Sequence, residues 1–449
     1  MSNSKAPILD FLKEYAKGGS LRLHMPGHKG KGELGVEKYD LTEVNGADSL
    51  YLASGIIAES EENASHIFGC KTYYSTEGSS LAIRAMLYMA LMYAKKHGKE
   101  PLILAGRNCH KSFLSAVALL DFDVEWLYPE NCQSYLSCQI TESEVENYLK
   151  NASVLPVAVY LTTPNYLGNI IDVKAIASVC KKYGVLLLVD NAHGAYLRLL
   201  SPSVFPIDLG ADACCSSAHK TLPVLTGGAY LHLASEFESD CQIGAKTALS
   251  LFGSTSPSYL ILASLDAFNN ECNLGYKSQL KEFIPFVEVA KNALSTKGFT
   301  LIGNEPLKIT VSTKSYGYTG FEIAKILEAN GIVSEFYDND FVVFMLTVQT
   351  GRQGLESLVE EMLKIPHKSP IISMPPRLIK PTKITDVKTA VKSLQEEVET
   401  EDAVGRVLGF TNLSCPPAVS IVCCGELIDE NAVEALKYYG IEKCVVLSK

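Results

Sequence analysis

The run VLLLVDNAHGAYL, residues 185–197, gives the plainest indication of how this chain folds. Five apolar residues in succession lead directly to the carboxylate Asp190. An unbroken apolar run of this length is typical of a strand covered on both faces. Ligands of open α/β sheets bind at the carboxyl ends of strands, so Asp190 is predicted to face a cleft. The alternative for Asp190 is a helix cap or a purely structural role.

Similar apolar runs recur along the chain, with helical patterns between them. They are PLILAG (101–106), VLPVAVYLTT (154–163), ADACCSS (211–217) and GGAYLHLA (227–234). Asp172 precedes apolar residues at helical spacing and Gly184 follows them, which predicts one helix and an ordinary βαβ unit. We therefore predict an α/β fold with a mostly parallel sheet.

Later patterns indicate further domains. Residues 307–348, LKITVST, FEIAKILEANG and FVVFMLTV, are βαβ-like, and five prolines within residues 366–381 predict a linker. Apolar residues at helical spacing within 384–398 predict a helix, and VSIVCC (419–424) and KCVVLS (443–448) predict strands. The predicted domains are an N-terminal segment (1–60), a large α/β domain (61–275) with the mostly parallel sheet, a smaller α/β domain (276–365), and a linker with a small α+β C-terminal module (366–449).

The composition of the 449-residue chain excludes several classes of function. A net charge of −10 argues against a nucleic-acid partner. The chain has thirteen cysteines but no CxxC pair, so we predict no metal site. The N-terminus has no export-signal pattern, which favours a reducing cytoplasm. The longest apolar run, LAIRAMLYMALMYA (81–94), contains Arg84 and is shorter than the roughly 20 residues of a membrane span, so we predict a buried helix and no membrane association.

Three features along the chain suggest a chemistry. STEGSSLAI (75–83) places a Gly-Ser-Ser turn at the start of a helix, where backbone N–H groups and hydroxyls bind phosphate, although most such turns are plain N-caps. Asp190 is the second feature. The third is Lys220 in SSAHKTLPVLTGG (216–228), whose apolar, small-residue setting favours a nucleophilic amine, although most lysines are surface residues.

Together these features match what pyridoxal phosphate requires. The cofactor needs a phosphate cradle, a carboxylate that keeps its pyridine nitrogen protonated, and a lysine that forms a Schiff base. The thirty positions between Asp190 and Lys220 are enough for a connection and the next strand, so both side chains can reach one cofactor.

Eight motifs follow one another along nearly the whole chain. They are HMPGHKG (24–30), TEGSSLAI (76–83), RNCHKS (107–112), TTPNYLG (162–168), VDNAHGAYL (189–197), SSAHKTLPVLTGG (216–228), TSPSYLILASLD (255–266) and EDAVGRVLG (401–409). In this order they resemble the ornithine/lysine/arginine decarboxylases, in the short form that lacks the N-terminal wing. The resemblance implies the aspartate-aminotransferase fold and pyridoxal 5'-phosphate as cofactor.

The same resemblance implies roles for individual residues. It makes Lys220 the Schiff-base lysine, Asp190 the partner of the ring nitrogen and His193 a candidate catalytic residue near the cofactor aldehyde. His110 resembles the imidazole that stacks on the pyridine ring. The implied phosphate contacts are Ser79, Ser80, Ser217 and His219, together with Thr255 and Ser256 supplied by a neighbouring subunit. The expected assembly is therefore a homodimer or higher homo-oligomer with a shared active site.

One C-terminal motif bears on the substrate. CPPAVSIVCCGELI (415–428) resembles the family's YPPGxPxxxPGExI and puts Glu426 where a carboxylate meets the distal cation of a basic amino acid. The chain departs from that pattern at Cys415, Ala418, Ser420 and Cys424, which leaves the preferred amino acid open among arginine, lysine, ornithine and an unusual substrate.

The resemblance therefore implies decarboxylation of a basic amino acid to its amine and carbon dioxide, as in polyamine biosynthesis. The alternatives are an aminotransferase or carbon–carbon lyase on the same fold, or a catalytically silent homologue that regulates a partner decarboxylase. Intact Lys220, Asp190 and His110 argue against a silent homologue.

Overall fold

Fourteen β-strands lie in the part of the chain that the computed structural model describes, which is residues 5–129, 134–376, 379–410, 417 and 419–448. Their bounds are β1 (Lys71–Ser75), β2 (Leu102–Gly106), β3 (Asp123–Leu127), β4 (Ala158–Thr162), β5 (Leu186–Asp190), β6 (Ala213–Ser216), β7 (Ala229–Leu233), β8 (Thr300–Ile302), β9 (Lys308–Ser312), β10 (Phe336–Tyr337), β11 (Phe341–Met345), β12 (Gln395–Glu399), β13 (Leu408–Phe410) and β14 (Lys443–Leu447).

Fifteen α-helices lie in the same described residues. Their bounds are α1 (Pro7–Lys17), α2 (Ile56–Phe68), α3 (Gly78–Lys96), α4 (Lys111–Leu119), α5 (Glu142–Asn151), α6 (Val173–Tyr183), α7 (Ala218–Thr221), α8 (Ser235–Asp240), α9 (Ala245–Ser250), α10 (Tyr259–Asn273), α11 (Tyr276–Lys297), α12 (Gly320–Glu328), α13 (Gly351–Lys364), α14 (Val387–Lys392) and α15 (Glu430–Tyr438). Short 3-10 helices span Glu37–Tyr39, Leu50–Leu52, Ala195–Leu199, Lys314–Tyr316, Val348–Thr350 and Thr400–Ala403.

The first of two compact units comprises Met1–Lys99 and Leu186–Gln279. Its strands lie in the order β1-β7-β6-β5. Strands β5 and β6 are parallel, with Asp190 paired to Cys215, whereas β7 is antiparallel to both of its neighbours. Every residue of β5 and β6 is buried, as expected for strands covered on both faces. Asp190 therefore ends a buried strand, as the sequence predicts.

Helix α3 supplies much of the core of this unit. It contains the apolar run 81–94, and nine of its apolar residues are buried, which confirms the predicted buried helix. Among the described residues, no helix is long and apolar enough to span a membrane.

The second unit comprises Glu100–Val185 and Leu280–Lys449. It holds strands in the order β4-β2-β3, with β2 parallel to both neighbours, which fits the predicted α/β class. It also contains an antiparallel sheet in the order β10-β11-β9-β8 and another in the order β12-β14-β13. The four-stranded antiparallel sheet lies within residues 276–365, and the three-stranded sheet lies within residues 366–449. The predicted domain boundaries stay a prediction.

Helix α6 ends as its sequence predicts. The side chain of Asp172 accepts a hydrogen bond from the backbone N–H of Ala175 at 3.0 Å, which caps the first turn. Gly184 follows the last turn with a φ of 64°, a left-handed conformation that glycine adopts without a steric penalty.

The βαβ-like interpretation of residues 307–348 is wrong. Strands β9 and β11 are antiparallel, although α12 lies between them in the chain. The reason is the two-residue strand β10, which pairs with β11 in a tight antiparallel hairpin. Because β10 has the same direction as β9, the crossover through α12 ends at β10 and the chain reverses before β11.

Two predictions for the C-terminal stretch are also wrong. Residues 419–424 are not a strand, because the carbonyl oxygens of Ser420 and Ile421 accept hydrogen bonds from a guanidinium and Val419 forms only an isolated bridge. The predicted helix is reduced to α14, because Ile384 and Leu394 are exposed to solvent and do not extend its buried face. Strand β14 confirms the prediction for 443–448.

Candidate active site

Lys220 and His193 lie together in the first unit. Lys220 belongs to α7, the short helix that follows β6, and His193 lies three residues after the end of β5. The Lys220 Nζ and His193 Nε2 atoms are 3.0 Å apart. His193 is buried and Lys220 is half-buried, so this contact is largely shielded from water. The sequence predicted both residues but not their direct contact.

Asp190 lies in the same unit with its carboxylate held by two donors. The side chain is buried, with 2% of the residue exposed. Its Oδ1 atom accepts a hydrogen bond from the backbone N–H of Ala192 at 3.1 Å and faces the Cys215 Sγ atom at 3.5 Å. Asp190 is therefore neither a helix cap nor a solvent-facing carboxylate.

The predicted phosphate turn is the start of α3. Gly78, the first residue of the helix, has a φ of 69°, and the helix has no side-chain N-cap. The Ser79 hydroxyl accepts a hydrogen bond from the Ser217 hydroxyl at 2.9 Å, so the structure brings together two of the predicted phosphate contacts. Ser80 is the next residue of α3 and is half-buried. The Gly78 N–H itself donates to the carbonyl oxygen of Gly227 at 2.8 Å. N–H groups and hydroxyls at the start of a helix are the donors that bind phosphate.

His219, also predicted to contact phosphate, lies in α7 and is held by the turn before β7. Its Nδ1 atom lies 2.9 Å from the carbonyl oxygen of Gly228, which requires a proton on Nδ1. The ring is therefore oriented by the turn that precedes β7.

Thr255 and Ser256 lie on the exposed loop between α9 and α10. The Ser256 N–H donates to the Ser254 hydroxyl at 3.1 Å, and the Ser254 N–H donates to the Glu77 carboxylate at 2.6 Å. Because Glu77 immediately precedes α3, this loop is tied to the beginning of that helix. The contact of these hydroxyls with a neighbouring subunit stays a prediction.

His110 lies in the second unit, at the start of α4. Its Nδ1 atom accepts a hydrogen bond from the backbone N–H of Ser112 at 3.1 Å, so the ring caps the helix. The neutral ring therefore carries its proton on Nε2. The predicted stacking of His110 on a pyridine ring stays a prediction.

Glu426, also in the second unit, is bonded to Arg107. The Arg107 Nη2 atom donates to Glu426 Oε2 at 2.7 Å, and the backbone N–H of Cys423 donates to the same oxygen at 2.6 Å. Both charged side chains are mostly buried, with 11% and 4% exposed. Burial raises the pKa of the Glu426 carboxyl, while the guanidinium of Arg107 favours its ionised form. Of the departures from the family motif, Cys415 and Ala418 lie outside the described residues.

Arg107 is the functional candidate that the sequence analysis missed. Its guanidinium lies over the rings of Trp126 and Tyr128, with its carbon atom 5.3 Å and 5.9 Å from the ring centres, and it contacts the Cys423 thiol. The available signal was its position in RNCHKS, three residues before His110. A buried carboxylate such as Glu426 also needs a cation.

The residues of the first unit fit pyridoxal phosphate by the chemistry of their donors. The buried carboxylate Asp190 ends β5, and the amine of Lys220 lies in α7, directly after the adjacent parallel strand β6. The start of α3 and the hydroxyls of Ser79 and Ser217 offer the kinds of donor that a phosphate group requires.

The chain is similar to a family of known proteins along most of its length. The sequence profile of the Orn/Lys/Arg decarboxylase family, major domain, matches residues 6–299. The uncharacterized protein YaaO of Bacillus subtilis is 29% identical over 464 residues, which cover 96% of this chain and 93% of YaaO. The arginine decarboxylase of Halalkalibacterium halodurans is 28% identical over 464 residues, which cover 95% of this chain and 92% of that protein.

A solved structure shows the same fold. The lysine decarboxylase LdcF of Francisella novicida superposes with a TM-score of 0.78 at 17% identity, covering 99% of this chain and 81% of that chain. The predicted fold class is thereby confirmed. On the family match, the chain belongs to the Orn/Lys/Arg decarboxylases and is a pyridoxal-phosphate-dependent decarboxylase.

Proposed function

We propose that this enzyme removes the α-carboxyl group of a basic amino acid, with arginine as its preferred substrate. The 3.0 Å contact between Lys220 and His193, in the same unit as the buried Asp190, is the observation that supports the assignment of the reacting groups. The preference for arginine is supported by the full-length similarity to the arginine decarboxylase of Halalkalibacterium halodurans. The likeness to LdcF, at 17% identity, supports the fold alone.

Lys220 and Asp190 are proposed to hold the two ends of the cofactor ring. When bound, pyridoxal phosphate supplies an electron sink for the pair of electrons left at the α-carbon by departing carbon dioxide. Lys220 would hold the cofactor covalently through Nζ. Asp190 holds a proton on the ring nitrogen, because its buried carboxylate strongly favours a neighbouring cation.

The phosphate group is proposed to lie at the start of α3. Ser79 and Ser80, the second and third residues of the helix, would contribute their hydroxyls and N–H groups, and Ser217 is already hydrogen-bonded to Ser79. His219 adds its ring, oriented by Gly228. His110 is proposed to stack on the cofactor ring.

His193 is proposed to exchange a proton with Lys220 during turnover. The 3.0 Å separation of Nε2 and Nζ is a hydrogen-bonding distance, so one proton can move between the two nitrogens. After carbon dioxide has left, Lys220 or His193 would donate the proton that the α-carbon needs before the amine is released. The burial of His193 limits competing exchange with water.

Glu426 is proposed to recognise the distal cation of the substrate. In the structure Glu426 already binds the guanidinium of Arg107, which is the same chemical group that ends an arginine side chain. Recognition at Glu426 therefore requires the carboxylate to share its two oxygens between Arg107 and the substrate. The Oε1 atom, 3.4 Å from the Tyr128 hydroxyl, is the less tightly held of the two.

The proposal extends to assembly and location. Thr255 and Ser256 are on an exposed loop, where they can contribute to the phosphate site of a second copy, so we propose a homo-oligomer with a shared site. The eleven described cysteines assigned as free thiols are consistent with a reducing cytoplasm. Formation of an amine from a basic amino acid is consistent with polyamine biosynthesis.

The test is carbon dioxide release from a panel of arginine, lysine and ornithine, with the amine product quantified in the same reaction. We expect arginine to give equal amounts of carbon dioxide and its amine, at the highest kcat/KM of the panel. A higher kcat/KM for lysine or ornithine would overturn the preference. No release from any of the three, with the cofactor bound, would overturn the proposed activity.

A further inference from the structure

We propose that the thiol of Cys215 is a positioning residue that orients the Asp190 carboxylate toward the cofactor ring, an inference that rests on the proposed role of Asp190. Cys215 belongs to none of the features from which the site was predicted, and it has no direct part in the chemistry. Its influence passes through Asp190 alone.

The placement follows from the sheet. Asp190 and Cys215 are paired across the parallel strands β5 and β6, so their side chains project from the same face. The Cys215 Sγ atom is 3.5 Å from Asp190 Oδ1, which is an ordinary distance for an S–H donor. The backbone is fixed at the same point, because the Asn191 N–H donates to the Cys215 carbonyl oxygen at 3.0 Å.

The thiol is held in the form that donates. Cys215 is fully buried, and burial together with the charge of Asp190 raises the pKa of its thiol well above the usual range. The S–H proton therefore remains at neutral pH and points to the carboxylate. Asp190 is almost fully buried as well, so water does not compete for this oxygen.

Both donors act on one oxygen. The Ala192 N–H and the Cys215 thiol converge on Oδ1, and two donors on one atom fix the rotation of the carboxylate plane. A thiol is a weak donor, so it orients Asp190 while leaving most of the negative charge for the ring nitrogen. A hydroxyl at this position would orient the carboxylate and withdraw more charge.

Two substitutions separate positioning from packing. Cys215→Ser keeps a donor of similar size, and Cys215→Ala removes it. Cys214→Ala is the matched control, because Cys214 is equally buried and adjacent but projects from the opposite face of β6. The dissociation constant of pyridoxal phosphate and the kcat and KM for the best substrate are measured for each.

We expect Cys215→Ala to weaken pyridoxal phosphate binding and lower kcat by about threefold to tenfold with KM unchanged, the size of one net hydrogen bond. Cys215→Ser should restore most of the binding, and Cys214→Ala should match the parent. Equal losses in Cys215→Ala and Cys214→Ala, or no rescue by serine, would show that Cys215 acts by packing and overturn the proposal.

A second measurement does not need the cofactor. The S–H stretching band of Cys215, isolated as the difference between the parent and Cys215→Ser apoproteins, should move to higher frequency in Asp190→Asn, whose neutral side chain is the weaker acceptor. An unmoved band would overturn the proposed contact. If Asp190→Asn leaves both cofactor binding and kcat unchanged, the proposed function of Asp190 fails instead.

Discussion

The Lys220 Nζ atom lies 3.0 Å from the Nε2 atom of His193, inside a single compact unit of the chain. A lysine amine this close to a buried imidazole has a partner for proton exchange before any substrate binds. Substitutions of the two residues should nevertheless have different effects, because only Lys220 is proposed to form a covalent bond to the cofactor.

Lys220→Ala should abolish covalent attachment of the cofactor and lower kcat by several orders of magnitude. His193→Gln should lower kcat by roughly 100-fold to 10,000-fold, the usual contribution of a general acid or base, while the cofactor still attaches. The mass of borohydride-treated protein reports attachment, and Lys220→Arg is the control that keeps the charge. A cofactor adduct that persists in Lys220→Ala would rule out this lysine.

Asp190→Asn should retain the fold and lower kcat by a factor that corresponds to about 3 kcal/mol of transition-state stabilisation. The asparagine keeps an oxygen for the Ala192 N–H but loses the charge that favours a protonated ring nitrogen. Steady-state kinetics measure the expected loss of kcat, and the circular dichroism of the apoprotein shows whether the fold is retained. Parent kinetics in Asp190→Asn would mean that another group performs this role.

Much of the first unit was predictable because its signals are local. Asp190 ends a run of apolar residues, and the other residues of the candidate site in the first unit, Lys220 and His193, lie close to strand ends that the sequence marks. Local signals also mark α6 in the second unit, where Asp172 and Gly184 cap the two ends of the helix.

The remaining features depend on contacts between distant residues. Arg107 and Glu426 are 319 positions apart, so no local pattern joins them. The apolar composition of 419–424 indicates a strand, but its carbonyl groups bind Arg107 and do not form a ladder. The direction of β11 depends on the short hairpin with β10, which is too brief to leave a sequence signal.

A shared site can be tested by mixing two inactive variants. If Thr255 and Ser256 serve the phosphate of a neighbouring copy, a dimer of Lys220→Ala with the double variant Thr255→Ala/Ser256→Ala contains one intact site. Random mixing should then restore about one quarter of the sites at limiting cofactor. Each variant alone is the control.

Mixed samples that stay as inactive as the separate variants would place these hydroxyls in the site of their own chain. The hydrogen bond from Ser254 to Glu77 would then explain the role of Thr255 and Ser256, because it fixes their loop beside the start of α3.

A buried pair of aspartates in the second unit predicts a pH-dependent stability. Asp338 Oδ1 accepts the N–H groups of Asp340 and Phe341 at 2.7 and 2.8 Å. Asp340 Oδ1 is bonded to Lys314 and the Tyr438 hydroxyl at 2.8 and 2.7 Å. Two carboxylates thus share one lysine, and burial, with the nearby Asp340, raises the pKa of Asp338 to about 6.

The native state therefore retains a proton on Asp338 between about pH 4 and pH 6, where the unfolded chain has released it, so stability falls as the pH rises through this window. Asp338→Asn keeps the acceptor and removes the titration. Its unfolding free energy should match the parent near pH 4 and exceed it by up to about 3 kcal/mol above pH 7. Urea unfolding at both pH values measures the difference in unfolding free energy, and Asp402→Asn, at an exposed aspartate, is the control. Parallel pH profiles for Asp338→Asn and the parent would contradict it.

Glu426→Gln tests recognition of the substrate, and its interpretation depends on Arg107. The substitution leaves a mostly buried guanidinium without its counter-charge, so we expect lower stability, by about 3–5 kcal/mol. If Glu426 also binds the distal cation, the KM for arginine should rise steeply while attachment of the cofactor to Lys220 is unaffected.

The double variant Arg107→Gln/Glu426→Gln separates these two effects. Because both charges are gone, no unpaired ion remains, and the thermal midpoint should recover toward that of the parent. The KM should stay raised, since the substrate cation still lacks its carboxylate. A double variant that recovers both its midpoint and the parent KM for arginine, lysine and ornithine would show that Glu426 serves only to hold Arg107. Other groups would then select the substrate. Cys424, which stands where the family motif has proline, would point to a smaller or less basic substrate.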